Sequence, residues 1–445
     1  MKKQLLSVAV LAAAFSANAQ VKDPAVYQPV AGYSLESLWS KTTFNGEVYP
    51  EMKGSNSRGM AVKNGKIYVP KRGVEGEKQI VDLYAYNGMT GASEGSVRLT
   101  DAVGTLSFAG NDVQVDNENN FVVGNMSTGL SKVAFEAWVV DELTGKEIKK
   151  VLSFVSEDME GFRIDCFDAW GDVLNGSGII MAAVSKTADV GGNLVLRWDI
   201  TDGVAGDVQV IEINGYLPEA ADCNSDAPRV CIIDENTFYL DGQNSYATLY
   251  DMEGVIIDGI QGEGMEAVTP ETPGNNGVDE FSIGEDNFVM YVMSNTATAS
   301  KQAFNICRLG EGMSMATMEL IYKVPEGGMS AESNVVRTAL PRIEVKDNVA
   351  YLYIFATNGG MAAYKFAPEG ATSTESIQGE KVNVVVENGQ IIVAGATAVS
   401  VYGIDGSTMA QKLGSQVEAP AAKGVYIVKA TTASGAEHVA KVMIK

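Results

Sequence analysis

One short unit recurs between Tyr33 and Pro368, and it limits the fold of this chain more than any other feature. Each copy is an alternating strand, a turn rich in Asn, Asp and Gly, and a second strand rich in valine and aromatic residues. The clearest copies cover residues 59–69 around Asn64-Gly65 and 113–123 around Asp116-Asn117-Glu118-Asn119. Others cover 230–240 around Asp234-Glu235-Asn236, 281–292 around Gly284-Glu285-Asp286-Asn287 and 343–354 around Lys346-Asp347-Asn348. A more divergent copy covers 167–183. Asn-Gly and Asp-Asn pairs tolerate the positive φ of a tight hairpin, and the flanking alternation buries one face of each strand. A third strand follows every hairpin, at 81–86, 134–140, 194–199, 247–251, 304–309 and 361–366, and each ends in a further turn.

A repeat of about 40–60 residues has the length of a propeller blade. One such sheet cannot bury both of its faces alone, whereas sheets stacked radially about an axis bury them and leave only short edges. The expected fold is therefore all-β: a β-propeller over residues 30–370, with about six blades and seven as the alternative count. A pair of β-sandwiches is the rival arrangement of short strands and regular turns. The last copy lacks an outer strand, and residues 35–42 near the start of the chain are placed to supply it and lock the ring. Residues 371–380 are small and polar, a linker composition. Residues 381–445 then read as a small C-terminal β-sandwich, with strand-like runs at 382–387, 390–394, 399–404, 425–430 and 438–444.

Residues 1–19 carry the three parts of a secretory signal peptide: Lys2 and Lys3, an apolar run at 5–15, and Ala17-Asn18-Ala19 before Gln20. The run is far shorter than the ~20 residues of a membrane span. No Cys follows the cleavage site, and no later segment is apolar enough to span a bilayer. Export is expected, with an extracellular or outer-membrane-surface location. The chain carries 33 basic and 56 acidic residues, which argues against nucleic acid and anionic membrane surfaces as partners.

The runs Val399-Ser400-Val401-Tyr402-Gly403-Ile404-Asp405-Gly406, Gly424-Val425-Tyr426-Ile427-Val428-Lys429 and Lys441-Val442-Met443-Ile444-Lys445 resemble the C-terminal sorting domains of type IX secretion in Bacteroidetes. The resemblance implies a terminal β-sandwich that engages the secretion machinery and directs export across the outer membrane. The family's turn usually has a basic residue after Gly, where this chain has Ser407. An accessory β-sandwich without a sorting role is the alternative. The body of the chain resembles secreted Bacteroidetes propellers of unknown function.

Catalytic signatures are sparse. His438 is the only histidine and lies in the terminal module, so Ser/His/Asp and Cys/His chemistry in the body is excluded. The Asp-box of sialidases is absent. Cys166 and Cys307 sit in apolar runs and read as core, while Cys223 and Cys231 flank a polar loop as a candidate disulfide pair. No zinc spacing is present. Asp112, Asp116, Asn117 and Glu118 suggest a calcium loop but read more simply as a hairpin turn, so no cofactor or metal is expected. Arg58, Lys71 and Arg72 form a basic patch suited to an anion or to neighbouring acids.

The densest mixture of acids and an aromatic is Asp165, Asp168 and Asp172 around Trp170. A sugar site uses such a mixture, stacking a ring on the aromatic face and accepting hydroxyl protons on carboxylates. Asp165, Asp168 and Trp170 are the candidate ligand-binding residues; the competing reading is a solvated loop with Trp170 packed between blades. The expected function is a non-enzymatic binding or scaffold propeller for glycan or protein ligands. The alternative is a glycan-active hydrolase or lyase that uses carboxylates of the central channel.

Overall fold

The computed structural model of the chain describes residues 25–26, 32–369 and 384–444. Outside the description within those spans are 101–102, 104–107, 186–193, 216–227, 243–244, 261–264, 266–267, 270–276, 295–301, 326, 331, 335, 388, 404–406 and 433–436. The signal-peptide segment, the linker, Cys223 and the turns at Asp405-Gly406 and Ser434-Gly435 therefore lie outside the described residues.

Six four-stranded antiparallel units follow one another along the chain. Blade one holds Ala61–Lys63, Lys66–Glu75, Lys78–Asn87 and Ser93–Arg98. Blade two holds Asp112–Val115, Phe121–Gly124, Phe135–Asp141 and Lys146–Phe154. Blade three holds Asp168–Gly171, Ser177–Ser185, Leu194–Thr201 and Gln209–Glu212. Blade four holds Arg229–Ile232, Thr237–Gly242, Ser245–Asp251 and Ile256–Gly259. Blade five holds Val278–Ile283, Asp286–Ser294, Ala303–Arg308 and Glu319–Val324, with Ala25–Val26 added at its outer edge. Blade six holds Ala339–Lys346, Val349–Ala356 and Gly360–Pro368, and its outer strand is Tyr33–Thr42 from the other end of the chain.

The apolar clusters show that the ring closes. Blades one and two share Tyr68, Val113 and Trp138; two and three share Phe135, Phe167 and Trp198. Blades three and four share Met181, Val230 and Phe238, and four and five share Tyr239, Tyr291 and Cys307. Phe288, Ile354 and Phe366 join five to six, and Trp39, Ile67 and Phe355 join six back to one. Alternation along each strand sends successive side chains to opposite faces, so every blade serves two such walls.

The closing strand is pinned at both flanks. Tyr33 stacks on Phe366 at 5.1 Å and donates to Asp286 Oδ2 of blade five at 2.8 Å. Trp39 donates through Nε1 to the Gly88 carbonyl of blade one at 2.7 Å. A side chain at Gly91, where φ is 65°, would strike the Trp39 ring at 2.7 Å, so this approach requires glycine.

At one end of the ring lie the tight turns anticipated from sequence. Asn64-Gly65 and Asp347-Asn348 have positive φ at both positions, as a type I′ hairpin demands. These turns clasp the next blade: Gly65 N–H donates to Glu344, Gly284 N–H to Asn348 Oδ1 and Val173 N–H to Asp116 Oδ2. We call this the hairpin face, and the opposite end, where the inner strands begin, the mouth.

Residues 371–445 form a second compact unit. A three-stranded sheet (Val384–Glu387, Gln390–Val393, Gln416–Glu418) faces a four-stranded one (Thr408–Leu413, Ala396–Gly403, Gly424–Thr432, Glu437–Ile444). Ile391, Val393 and Val417 from the first sheet pack against Val399, Val401 and Val428 from the second, which makes a small β-sandwich. Among the described residues no helix is long and apolar enough to cross a membrane.

Candidate functional site

On the inner strand of blade two the alternate side chains differ in character. On Asp112–Val115, Val113 and Val115 pack into the wall shared with blade one. Asp112 and Gln114, two residues apart and on the other side, enter the centre. Arg229 of blade four reaches past blade three and donates to Asp112 Oδ2 at 2.8 Å, with both side chains buried. The same oxygen accepts from Phe167 N and Gln114 Nε2 at 3.3 Å, and Oδ1 accepts from Val113 N at 3.0 Å. Gln114 donates to the Phe167 carbonyl at 2.7 Å and accepts from Arg342 Nη2 of blade six at 2.9 Å. Arg342 Nε donates to the Met60 carbonyl at 3.1 Å. Side chains of blades two, four and six thus meet across the axis.

The acids of the axis are held under tension. Burial raises the carboxyl of Asp241 well above its ordinary value; Arg229 and the Gly277 N–H, which donates at 2.8 Å, only partly offset this. Burial pushes Asp168 up to about 6 against the pull of Arg342, although its Oδ2 accepts from Ile232 N at 2.7 Å. Burial also pushes Asp279 up to about 7, and the charge of Asp168 adds to the rise. Burial opposes the charge of Arg229, but the charge and hydrogen bond of Asp112, together with Cys166 and Asp241, outweigh it and hold the guanidinium protonated.

Among the described residues, this network links the blades across the centre. Where it meets the mouth, a space of about 10 Å³ is lined by Arg58, Asn111, Asp165, Cys166, Arg229, Val336 and Thr338. That is roughly the volume one water occupies, and its lining has no aromatic residue. A wider groove of about 480 Å³ runs along the rim between blades two and three, beside Lys149, Phe154, Trp198 and Val208.

The three sequence candidates lie on one run of chain but not at one site. Asp165 is buried at the mouth, where Arg163 grips both its oxygens, one at 2.9 Å, and Ser185 Oγ donates to it at 2.8 Å. Asp168 lies farther along toward blade four. Trp170 packs half-buried in the wall of blades three and four, against the cluster of Ile179 and Phe238. Asp172 organises the turn at the hairpin face, accepting from Leu174 N and Asn175 N at 3.1 and 2.9 Å. An extended strand advances about 3.3 Å per residue, so Asp168 and Asp172 stand about 13 Å apart along the axis.

Asp116, Asn117 and Glu118 belong to the hairpin turn: Asp116 accepts from the backbone N–H groups of Glu118 and Asn120 at 3.0 and 2.8 Å. Asp112 is committed to Arg229 instead. Among the described residues no group of three or more His, Cys, Asp or Glu side chains is placed to hold a metal ion. Among the described residues, Cys166, Cys231 and Cys307 are free thiols, and Cys223, the proposed partner of Cys231, lies outside them.

The mouth over blades one to three holds a constellation that sequence reading resolved only in part. Arg58 precedes blade one, Arg72 extends its second strand, and Arg163 leads into blade three. Arg58 Nη1 and Arg163 Nη2 approach the same Met126 Sδ at 3.7 and 3.4 Å. Arg72 lies over the Phe108 ring, 5.0 Å from its centroid, within cation–π range. Burial and, after it, the charge of Arg58 lower the Arg72 guanidinium to about 10, against the pull of Asp165. Lys71, next to Arg72 on an extended strand, points to the opposite face. Arg163 was missed; the signal was available as Arg163-x-Asp165, which puts a cation and an acid on one side of a strand.

No protein-family model matches this sequence, and no curated protein does. Solved structures do match. A DUF4623 family protein from Bacteroides eggerthii superposes with a TM-score of 0.55 at 13% identity, over 78% of this chain and 77% of its own. An alpha-L-arabinanase of Penicillium chrysogenum, complexed with arabinobiose, matches with a TM-score of 0.48 at 9% identity, over 75% of this chain and 98% of its own. At 13% identity the likeness to the Bacteroides protein is one of fold alone.

Proposed function

We propose that the chain is an exported, non-enzymatic binding propeller whose ligand, a glycan or a protein, docks at the mouth. The observation that carries this reading is the contrast between a centre crossed by the Asp112–Arg229 and Gln114–Arg342 links and a mouth with concentrated cationic side chains. A hydrolase that works through the axis needs an open pocket with two facing carboxylates and room for a sugar. Here Asp112 is bound on both oxygens, and Asp168 accepts from backbone.

The signal-peptide pattern and the sorting-domain resemblance support delivery to the cell surface or the medium. Mass spectrometry of extracellular protein tests that delivery: the first residue is expected to be Gln20, and an intact Met1 contradicts it. Removing residues 381–445 asks whether the second unit sorts the protein or is accessory.

A second reading has its own observation. Asp168 at about 6 and Asp279 at about 7 fall where a general acid operates near neutrality. A glycan array paired with a hydrolysis screen separates the two. Binding without turnover supports the module; turnover lost on changing Asp168→Asn supports the hydrolase.

A further inference from the structure

We propose that Arg58, Arg72 and Arg163 form an oxyanion site that takes the carboxylate or sulfate of an acidic sugar residue; the sugar part rests on the binding reading above. Three guanidinium groups from three separate segments converge at the mouth. Two of them share the Met126 thioether, a weak neutral acceptor that compensates no charge. Asp165 is the one carboxylate that the described contacts place among them, and Arg163 holds it in a two-pronged grip.

Arg58 and Arg72 form no ion pair among the described residues. Arg58 donates only to the Ser55 carbonyl at 3.0 Å and to Met126. Arg72 is the more telling of the two. It is 8% exposed, and its Nε is buried without a hydrogen-bond partner among the described residues. Burying a guanidinium with an unmet donor costs free energy, and placing it beside a second cation adds to that cost. An incoming oxyanion offsets the second cost, because it neutralises neighbouring cations and a planar guanidinium fork matches two oxygens in parallel. The cluster also stands out against a chain with 56 acidic and 33 basic residues. Phe108 holds Arg72 in place from its ring face, so part of the ordering cost is met before a ligand arrives.

The test is calorimetric titration of the full chain with four probes: an oligogalacturonate, a sulfated galactan oligosaccharide, a neutral galactan oligosaccharide and a polyglutamate peptide. At least one acidic sugar is expected to bind, more weakly in high salt, and the neutral sugar is not. Whether uronate or sulfate binds better identifies the source of the oxyanion. Arg58→Gln and Arg72→Gln are each expected to lower affinity about 10- to 100-fold. Arg58 is the more exposed of the two, so R58Q keeps the test valid even where R72Q lowers the melting temperature. Unchanged affinity in R58Q overturns the site. Equal binding of the neutral sugar overturns the site and leaves the binding reading standing. Binding of polyglutamate alone overturns the sugar assignment, and failure of all four probes overturns the site, leaving the binding reading to the glycan array.

Discussion

The walls between blades and the axis they surround are built from opposite materials. The wall of blades five and six is a mesh of rings: Phe288 meets Phe366 at 4.9 Å, Phe281 stacks on Phe288 at 5.1 Å, and Tyr33 completes it. Apolar burial is non-directional and tolerates adjustment, so six different clusters do the same job. The axis is directional. Arg229, Asp112, Gln114 and Arg342 fit one another through specific atoms, and a single deletion leaves a buried charge unmatched. Stability of the ring therefore resides in the walls, and its geometric uniqueness in the centre.

The largest effect is expected from removing residues 33–42. Blade six loses its outer strand and the ring loses the ties at Asp286 and Gly88, so the cooperative thermal transition of the full chain should disappear. A sharp transition retained near the original temperature contradicts closure by this strand. Within the walls, Phe366→Ala should cost about 3–5 kcal/mol in denaturant unfolding, the usual range for a buried aromatic.

At the axis, Arg229→Leu should cost about 3–5 kcal/mol, because Asp112 is left buried and unpaired. Adding Asp112→Leu should recover much of that loss, which is the signature of a charge pair rather than of packing. Full additivity of the two changes would place Arg229 among the packing residues and blur the contrast with the walls.

A smaller effect sharpens the contrast through pH. Asp168 and Asp279 have folded values of about 6 and about 7, against an unfolded value of about 4. The folded chain thus holds more protons than the unfolded one in that window, so stability falls as pH rises through 6 and 7. The penalty is fully present above pH 7 and is relieved progressively as pH drops toward 4. The melting temperature should be a few degrees higher at pH 5 than at pH 8, and Asp279→Asn should reduce the difference. A wall substitution such as F366A should shift both temperatures equally.

Much of the fold was legible because its signals are local. Asn64-Gly65 and Asp347-Asn348 announce their turns, and the unmatched last repeat called for the strand that contains Trp39. The centre was not legible, since blades two, four and six contribute one or two linking side chains each and the partners lie far apart: Asp112 with Arg229, Gln114 with Arg342. Adjacency in sequence is also not adjacency in space. Asp165, Asp168 and Trp170 are neighbours in the chain, yet an inner strand runs along the axis and distributes them between mouth, centre and wall. The mouth was half legible: Arg58 and Arg72 stood out as basic, while Arg163 was concealed beside its acid.

The most direct measurement compares ligand affinity, turnover and melting temperature between the native chain and the double variant Asp168→Asn, Asp279→Asn. If the centre is structural and the ligand sits at the mouth, affinity for whichever probe binds should stay within about twofold while the pH dependence of stability weakens. A native chain that turns over a glycan, and a double variant that folds but does not, would contradict the account.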